Sequence, residues 1–250
     1  MSFLAVSPSI HIAFEVLGEG PPIVLVHGFA SSRRTNWRWP GWYDALTKAG
    51  RCVIAMDVRG HGESSKPHIQ EAYDEGALAD DVVRLLDHLG HAQADVMGYS
   101  MGGFITIRLL HDHGHRVRRA VIAGLGNNYY GRGVVETDAI AAGLRAADVA
   151  IVKDPVPRQF RLFAQQGGND LEALALCMTR QRQVFDAGAL RHVNVPTLIV
   201  LGDKDNITGS ADVLVASIPG AIVKTVPGRD HMSTVGDKVY KAAVLQFLKE

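Results

Sequence analysis

Cysteine is scarce in this chain, and neither sign of charge is in excess. The 250 residues include two cysteines, Cys52 and Cys177, which lie far apart in the sequence. A framework of disulfides is therefore not expected, and this cysteine content suits a reducing cytoplasm. Lysine and arginine number 26 together, as do aspartate and glutamate. Because no overall charge would attract nucleic acid or an anionic membrane, we expect neither as a partner.

Long apolar runs are also missing from the sequence. No stretch approaches the roughly 18 apolar residues that a membrane-spanning helix needs. Residues 1–8 lack the basic region followed by an apolar segment that marks a secretory signal. Together with the low cysteine content, these absences predict a cytoplasmic protein.

Short apolar runs alternate with amphipathic stretches along most of the chain. The continuous apolar runs, which are typical of strands covered on both faces, lie at residues 23–26, 52–56, 96–97 and 120–123, and residues 195–201 restore the strand pattern after the inserted helices. Further strands are expected at residues 10–16 and 221–226, and helices at residues 43–49, 76–90, 105–111, 211–218 and 235–248. This alternation predicts an α/β fold with a doubly wound, mostly parallel sheet.

The strand pattern disappears between residues 127 and 185. Helices are expected there near residues 137–147, 157–166 and 171–184, with Asp170 as the N-cap of the last one. Helices inserted between two buried strands are well placed to form a lid over the carboxyl ends of the strands. We therefore predict a core domain of residues 1–126 and 186–250 and a helical cap at residues 127–185.

One turn carries a candidate nucleophile. Residues 98–102 read Gly-Tyr-Ser-Met-Gly and join a predicted strand to a predicted helix without a loop. If Ser100 lies at the apex in a strained conformation, side chains at positions 98 and 102 would collide with the neighbouring strand and helix. The helix N-terminus beside Ser100 would favour a developing anion. The pattern is that of a nucleophile elbow, and the alternative is a glycine-rich turn with an incidental serine.

An acid and a histidine fall in comparable turns after other strands. Asp203 and Asp205 follow one predicted strand, and His231 follows another. The carboxyl ends of parallel strands share one edge of the sheet, so these residues are expected near Ser100. A serine hydroxyl needs an imidazole to take its proton, and the imidazole needs a carboxylate on its other nitrogen. The pattern predicts Ser100 as nucleophile, His231 as base, and Asp205 or Asp203 as the acid.

Other histidines are assigned structural roles. His61 is a possible base, but it lies between two glycines and is better explained as a turn residue. Residues 111–115 read His-Asp-His-Gly-His, an alternation that would suit a metal ion. They lie at a predicted helix end, where such groups are ordinary, and no second cluster supplies ligands. We predict no metal site and no cofactor.

Taken together, these motifs resemble the α/β-hydrolase fold superfamily. In the order and spacing of that family, they are His27-Gly28-Phe29, residues 57–62, residues 98–103, residues 202–205 and His231. In such families the acid is usually the last residue of a G-x-x-D turn, so the resemblance favours Asp205 over Asp203. Asp230 is a third and weaker candidate because it adjoins His231.

The resemblance also implies an oxyanion hole, a pair of backbone amides that binds the negative oxygen of a tetrahedral intermediate. The two amides would be those of Phe29 and Met101, with His27 organising the loop. Residues 229–232 read Arg-Asp-His-Met, where many relatives have Gly before the histidine and Pro after it. The turn that carries the acid also lacks a proline downstream. These departures remove no chemical group.

The expected activity is cofactor-independent hydrolysis of an ester, or a related acyl bond, of a small to medium organic molecule. With the same three residues, the alternatives are a C–C hydrolase, lactonase, thioesterase, acyltransferase or cofactor-free haloperoxidase. Haloalkane dehalogenases and epoxide hydrolases are disfavoured, because those relatives have aspartate where Ser100 stands. A non-catalytic ligand-binding protein is a further alternative, and no oligomeric state is predicted. Core packing is favoured over a pocket-lining role for each of five further candidates, which are Trp37, Trp39, Phe160, Phe163 and Met178.

Overall fold

A computed structural model of the protein describes residues 1–130, 137–180, 185–186 and 188–249. Within these residues, eight strands form a single sheet. The strands are β1 Ser2–Ser7, β2 Ile10–Leu17, β3 Pro22–Val26, β4 Cys52–Met56, β5 Ala94–Tyr99, β6 Val117–Ala123, β7 Thr197–Gly202 and β8 Ile222–Val226. Their order across the sheet is β1-β2-β4-β3-β5-β6-β7-β8.

The sheet is mixed but mostly parallel. Strand β2 pairs antiparallel with both β1 and β4. All pairs from β4 through β8 are parallel, which confirms the predicted sheet. Strand β1 was not expected, and only Leu4 of its residues is buried. As the exposed edge of a hairpin, β1 does not need the apolar run by which the central strands were recognised.

Helices cover both faces of the sheet. The α-helices of the described residues are α1 Trp42–Lys48, α2 Glu75–His88, α3 Met101–His113, α4 Thr137–Arg145, α5 Pro155–Gln166, α6 Leu171–Met178, α7 Asp212–Ser217 and α8 Lys238–Phe247. Apolar side chains of α1 and α8 pack on one face, and those of α2, α3 and α7 pack on the other. No helix in these described ranges is long and apolar enough to cross a membrane.

Helices α4 to α6 form a helical cap between β6 and β7. They pack on one another and on Ala30 of the core, through an apolar cluster that also contains Ile140, Leu144, Ala164 and Leu174. The cap is typical of the α/β-hydrolase fold. We propose for it the boundaries expected above, residues 127–185, of which 131–136 and 181–184 lie outside the described residues.

The helix ends in the cap differ from expectation by a few residues. Helix α5 begins at Pro155 rather than at residue 157, because proline is compatible with the first turn of a helix and the Asp154 side chain caps it. Helix α6 ends at Met178, although the pattern predicted a helix over 171–184, of which 181–184 lie outside the described residues. The Asp170 side chain accepts a hydrogen bond from the Ala173 N–H at 3.0 Å, so the predicted N-cap is confirmed.

The two cysteines lie in different parts of the fold. Cys52 is in β4, and Cys177 is in α6 of the cap. Both are buried and have no disulfide between them.

Candidate active site

Ser100 lies between β5 and α3, at the carboxyl edge of the parallel strands. Its backbone is left-handed, with φ of 53° and ψ of −111°. A β-carbon at Gly98 would overlap the carbonyl group of Gly102, and one at Gly102 would overlap the carbonyl group of Val26 at the end of β3. The sharp turn and the reason for its two glycines are therefore as the sequence predicted.

Three side chains from separate turns meet at this edge. The Oγ atom of Ser100 is 3.1 Å from Nε2 of His231, and Nδ1 of His231 is 2.8 Å from Oδ2 of Asp205. The other carboxylate oxygen of Asp205 accepts hydrogen bonds from the N–H groups of Ile207 and Thr208, at 3.0 and 3.2 Å. Because a carboxylate only accepts, Nδ1 of His231 carries the proton and Nε2 presents a lone pair to Ser100.

The other two candidate acids accept hydrogen bonds from backbone N–H groups and not from the His231 ring. The carboxylate of Asp203 is exposed and accepts from the Gly228 N–H at 2.6 Å. Asp230 is also exposed, and its carboxylate accepts from the N–H groups of Met232 and Ser233, which follow it in the same turn. Only Asp205 of the three candidates contacts His231 in the structure.

A buried tyrosine holds the backbone of the histidine turn. The hydroxyl of Tyr99, the residue before Ser100, donates a hydrogen bond to the carbonyl oxygen of His231. Burial raises the pKa of Tyr99 well above its ordinary value, so the hydroxyl remains a neutral donor. This contact ties the turn of His231 to the strand that delivers Ser100, and the sequence pattern contained no signal for it.

Two backbone amides near Ser100 are those of Phe29, in the loop after β3, and Met101. Among the hydrogen bonds of the described residues, the N–H groups of Phe29 and Met101 donate none. Met101 is the first residue of α3, where a helix leaves its N–H groups without an intrahelical acceptor. Both amides therefore remain without an acceptor among the described residues, as the predicted oxyanion hole requires.

The peptide group that contains the Phe29 N–H is fixed by its carbonyl oxygen. That oxygen, from Gly28, accepts from Nδ1 of His27 at 2.7 Å and from the Ser31 N–H at 3.3 Å. Nε2 of His27 accepts from the Val58 N–H at 3.0 Å, so the ring is the neutral tautomer protonated on Nδ1. Burial lowers the pKa of His27, which favours this neutral form. Since a trans peptide points its C=O and N–H in opposite directions, holding the Gly28 oxygen aims the Phe29 N–H.

A buried amide supports the same loop from the other side. The Gly28 N–H donates to Oδ1 of Asn36 at 3.0 Å. Asn36 lies in a short π-helical turn, Arg34–Arg38, and is buried. Nothing in the sequence pattern pointed to this residue, because its partner is a backbone group eight positions away in an irregular loop.

A buried ion-pair network anchors the loop that follows. The Arg33 N–H donates to Oδ1 of Asp57 at 2.7 Å, and its guanidinium pairs with both Asp57 and Glu63. The Glu63 N–H donates to Oδ2 of Asp57 at 2.8 Å. The hydrogen bond from Arg33 lowers the pKa of Glu63. The network joins the loop of Phe29 to the turn of residues 57–65.

The other histidines stay away from Ser100. His61 is fully buried, and its Nδ1 contacts the carbonyl oxygen of Arg59 at 3.1 Å. Burial lowers its pKa well below the ordinary value. In the segment 111–115, His111 contacts Asp112 and His113 contacts Asp80. In the part of the chain that the structure describes, no group of three His, Cys, Asp or Glu side chains is placed to hold a metal ion.

Aromatic residues divide between the core and the cap. Trp37 is fully buried and packs edge to face on Trp42, so it belongs to the core. Trp39 is 75% exposed, and core packing was therefore the wrong expectation for it. The Phe29 ring lies 6.0 Å from that of Phe160, between centroids, beneath α5 of the cap. Apolar side chains thus adjoin the loop of Phe29 on its cap side.

Comparisons with known proteins agree with this fold. A family model described as the α/β-hydrolase fold matches residues 21–129, which include Phe29 and Ser100. The dihydrolipoyllysine-residue acetyltransferase component of the acetoin cleaving system of Pseudomonas putida is 36% identical in an alignment of length 237 that covers 88% of this chain and 61% of that protein. A putative non-heme chloroperoxidase of Synechocystis sp. is 30% identical in an alignment of length 258 that covers 90% of this chain and 90% of that protein.

A solved structure is similar over the whole length. A hydrolase from Pseudomonas aeruginosa has a TM-score of 0.79 and 28% sequence identity, and the match covers 100% of this chain and 98% of that one. The similarity therefore includes the turns that contain Asp205 and His231 as well as the cap.

Proposed function

The chain belongs to the α/β-hydrolase fold superfamily, and from this premise we propose that it is a serine hydrolase that cleaves an ester or related acyl bond. The observation that carries the proposal is the continuous line of hydrogen bonds from Asp205 through His231 to Ser100. The substrate would be a small to medium organic molecule whose acyl part contacts apolar residues of the cap.

Each residue has one role in this reaction. Ser100 Oγ attacks the carbonyl carbon while Nε2 of His231 takes its proton, and Asp205 stabilises the imidazolium that forms. The N–H groups of Phe29 and Met101 bind the oxyanion of the tetrahedral intermediate, and each such donor is typically worth about 10² to 10³ in rate. His231 then returns the proton to the departing alcohol. Water, deprotonated by His231, attacks the acyl-enzyme, and the acid and free Ser100 are released.

A second candidate differs only in the molecule that accepts the acyl group. The putative chloroperoxidase of Synechocystis sp. is similar over nine-tenths of both chains. If hydrogen peroxide replaces water, its attack on the acyl-enzyme yields a peroxyacid and restores the Ser100 hydroxyl. The peroxyacid would oxidise halide in a following step, with no metal or organic cofactor in the protein.

Hydrolysis of p-nitrophenyl esters of increasing acyl length tests the first candidate. We expect Ser100→Ala and Asp205→Asn to lower kcat by on the order of 10⁴ to 10⁶. Asp203→Asn is the matched control, because the Asp203 carboxylate lies in the same turn but accepts its hydrogen bond from the Gly228 N–H. We expect this variant to have wild-type turnover. Hydrolysis that survives Ser100→Ala, or an equal loss in both aspartate variants, would exclude this mechanism.

Peroxide is the added reagent that separates the two candidates. Halide oxidation with acetate and hydrogen peroxide is measured beside ester hydrolysis. Ser100-dependent oxidation that exceeds hydrolysis in rate would favour the second candidate.

A further inference from the structure

A polar side chain of the cap reaches the loop that contains the Phe29 amide. The side-chain nitrogen of Asn169, between α5 and α6, lies 3.1 Å from the carbonyl oxygen of Ala30 and 3.1 Å from that of Ala164. Since carbonyl oxygens only accept hydrogen bonds, both contacts require the amide nitrogen rather than the amide oxygen to face them. Asn169 therefore bridges α5 of the cap and the loop after β3.

Two peptide groups continue from Asn169 to Phe29. The peptide group with the Ala30 carbonyl also contains the Ser31 N–H, which donates to the Gly28 carbonyl oxygen at 3.3 Å. The Gly28 carbonyl in turn shares its peptide group with the Phe29 N–H. Because each peptide group is planar, fixing one end fixes the direction of the other. Hydrogen bonds in such a series also polarise one another, so that each donor becomes stronger.

Ala30 needs support from outside its own loop. Its φ is +54°, which is unfavourable for a residue with a β-carbon. Its side chain is buried in the apolar cluster of the cap, with Ile140, Ala164 and Leu174 among its members. The cap thus holds both the side chain and the carbonyl group of Ala30.

We propose that Asn169 is a positioning residue for the oxyanion hole. By holding the Ala30 carbonyl, it orients the peptide groups that lead to the Phe29 N–H, and the cap thereby completes the hole. The inference rests on the proposed function, because it uses the oxyanion hole of Phe29 and Met101.

Asn169→Asp is the principal test, because it keeps the size of the side chain and removes its donor. We expect kcat on the preferred p-nitrophenyl ester to fall about tenfold, less than for loss of a direct donor, with KM within about twofold of wild type. Affinity for an alkyl trifluoromethyl ketone, whose adduct with Ser100 places an anionic oxygen in the hole, should fall by the same factor as kcat/KM. Asn169→Ala, which removes the donor without adding charge, should show the same losses.

A pH series adds a readout that a purely structural role would not change. When the carboxyl group of the Asp variant takes up a proton, its O–H can donate to the Ala30 carbonyl again. The ratio of variant to wild-type kcat/KM should therefore rise as the pH falls, whereas the ratio for Asn169→Ala should stay constant.

Gln70→Glu is the matched control. The Gln70 side chain also joins the core to the cap, donating to the Leu176 carbonyl oxygen at 3.0 Å, but it does not contact the loop of Phe29. Gln70→Glu replaces a side-chain amide by a carboxylate, as Asn169→Asp does, and we expect it to have wild-type kcat and ketone affinity.

The possible results separate the inference from the proposed function. Wild-type kcat and ketone affinity in both Asn169 variants would overturn the inference and leave the function intact. Equal losses in the Asn169 and Gln70 variants would also overturn it, since they would reflect general loosening of the cap. A wild-type protein with no Ser100-dependent turnover and no reaction with the ketone would overturn both.

Discussion

Among the residues that the structure describes, two with a β-carbon, Ala30 and Ser100, have backbone conformations with positive φ, and both lie at the candidate active site. Such conformations persist only where the surrounding structure holds them. The Ser100 N–H donates to the Ala123 carbonyl oxygen at 2.8 Å, and its carbonyl accepts from the Gly103 N–H at 2.8 Å. The unfavourable backbone conformation of Ser100 is therefore held by hydrogen bonds to neighbouring backbone groups.

Gly102→Ala should destabilise the fold. A β-carbon there would lie 2.7 Å from the carbonyl carbon of Val26, which is backbone of a central strand and has little freedom to move. We expect the free energy of unfolding to fall by at least about 1–3 kcal/mol, measured by urea denaturation. In Gly114→Ala the new β-carbon meets only Val195 Cγ2 at 3.9 Å, an ordinary contact, so that variant should match wild type. Equal unfolding free energies in the two variants would contradict the argument.

The strain at Ser100 was predictable, and that at Ala30 was not. Gly98 and Gly102 lie two residues on either side of Ser100, so the sequence next to Ser100 already indicates a turn too tight for larger side chains. Ala30 is held by Asn169 and by cap helices more than a hundred residues later in the chain. No local pattern records a conformation that distant contacts impose.

Individual elements were predictable where their burial is uniform. Strands β3 and β4 lie between helices on both faces, and this burial on both faces is visible in the sequence as continuous apolar runs. The pattern missed β1, which is largely exposed, and it extended α6 beyond Met178. The C-cap of α6 is Thr179, and no glycine or proline stands there to mark a helix end, so periodicity alone could not identify its last residue.

Asp170 is the polar residue on which the start of α6 depends. Besides capping the helix, its carboxylate contacts Nε2 of His68 at 3.0 Å. Asp170→Ala should lower stability by about 0.5–2 kcal/mol, with faster amide hydrogen exchange at the start of α6. Asp170→Asn keeps a good capping acceptor, so we expect most of the stability to remain. If the two variants lose the same amount, the contact with His68 and not the cap is the larger contribution.

Across the whole molecule, the site is assembled from turns that the sheet brings to one edge. This is why Ser100, Asp205 and His231 were predictable together: parallel strands place the turns that follow them at one edge of the sheet. The residues that hold those turns in place were not predictable. Arg33, for example, pairs with carboxylates from the turn after β4, and a sequence does not record which charges meet.

Replacing Arg33 with methionine should destabilise the entire fold. Asp57 is fully buried, and without Arg33 its charge would lose its principal ion-pair partner. Removing one partner of a buried ion pair typically costs about 3–5 kcal/mol, and urea denaturation would measure the loss. Arg34→Met is the control, since Arg34 is largely exposed and lies 3.7 Å from Glu63, where a surface pair contributes about 0–1 kcal/mol. A wild-type unfolding midpoint in Arg33→Met would refute this view of the network.

The contact between Asn169 and Ala30 has a consequence for how such enzymes diversify. A cap acquired by recombination, or grafted in the laboratory to change substrate preference, replaces the loop between α5 and α6 along with the pocket. If the incoming loop offers no hydrogen-bond donor to the Ala30 carbonyl, the core and the new cap can both fold, and the chimeric protein will still turn over its substrate slowly. The catalytic rate of such a chimera then depends on whether the new cap supplies a donor in place of the Asn169 amide. A graft that restores this donor should recover the rate without any change to the core.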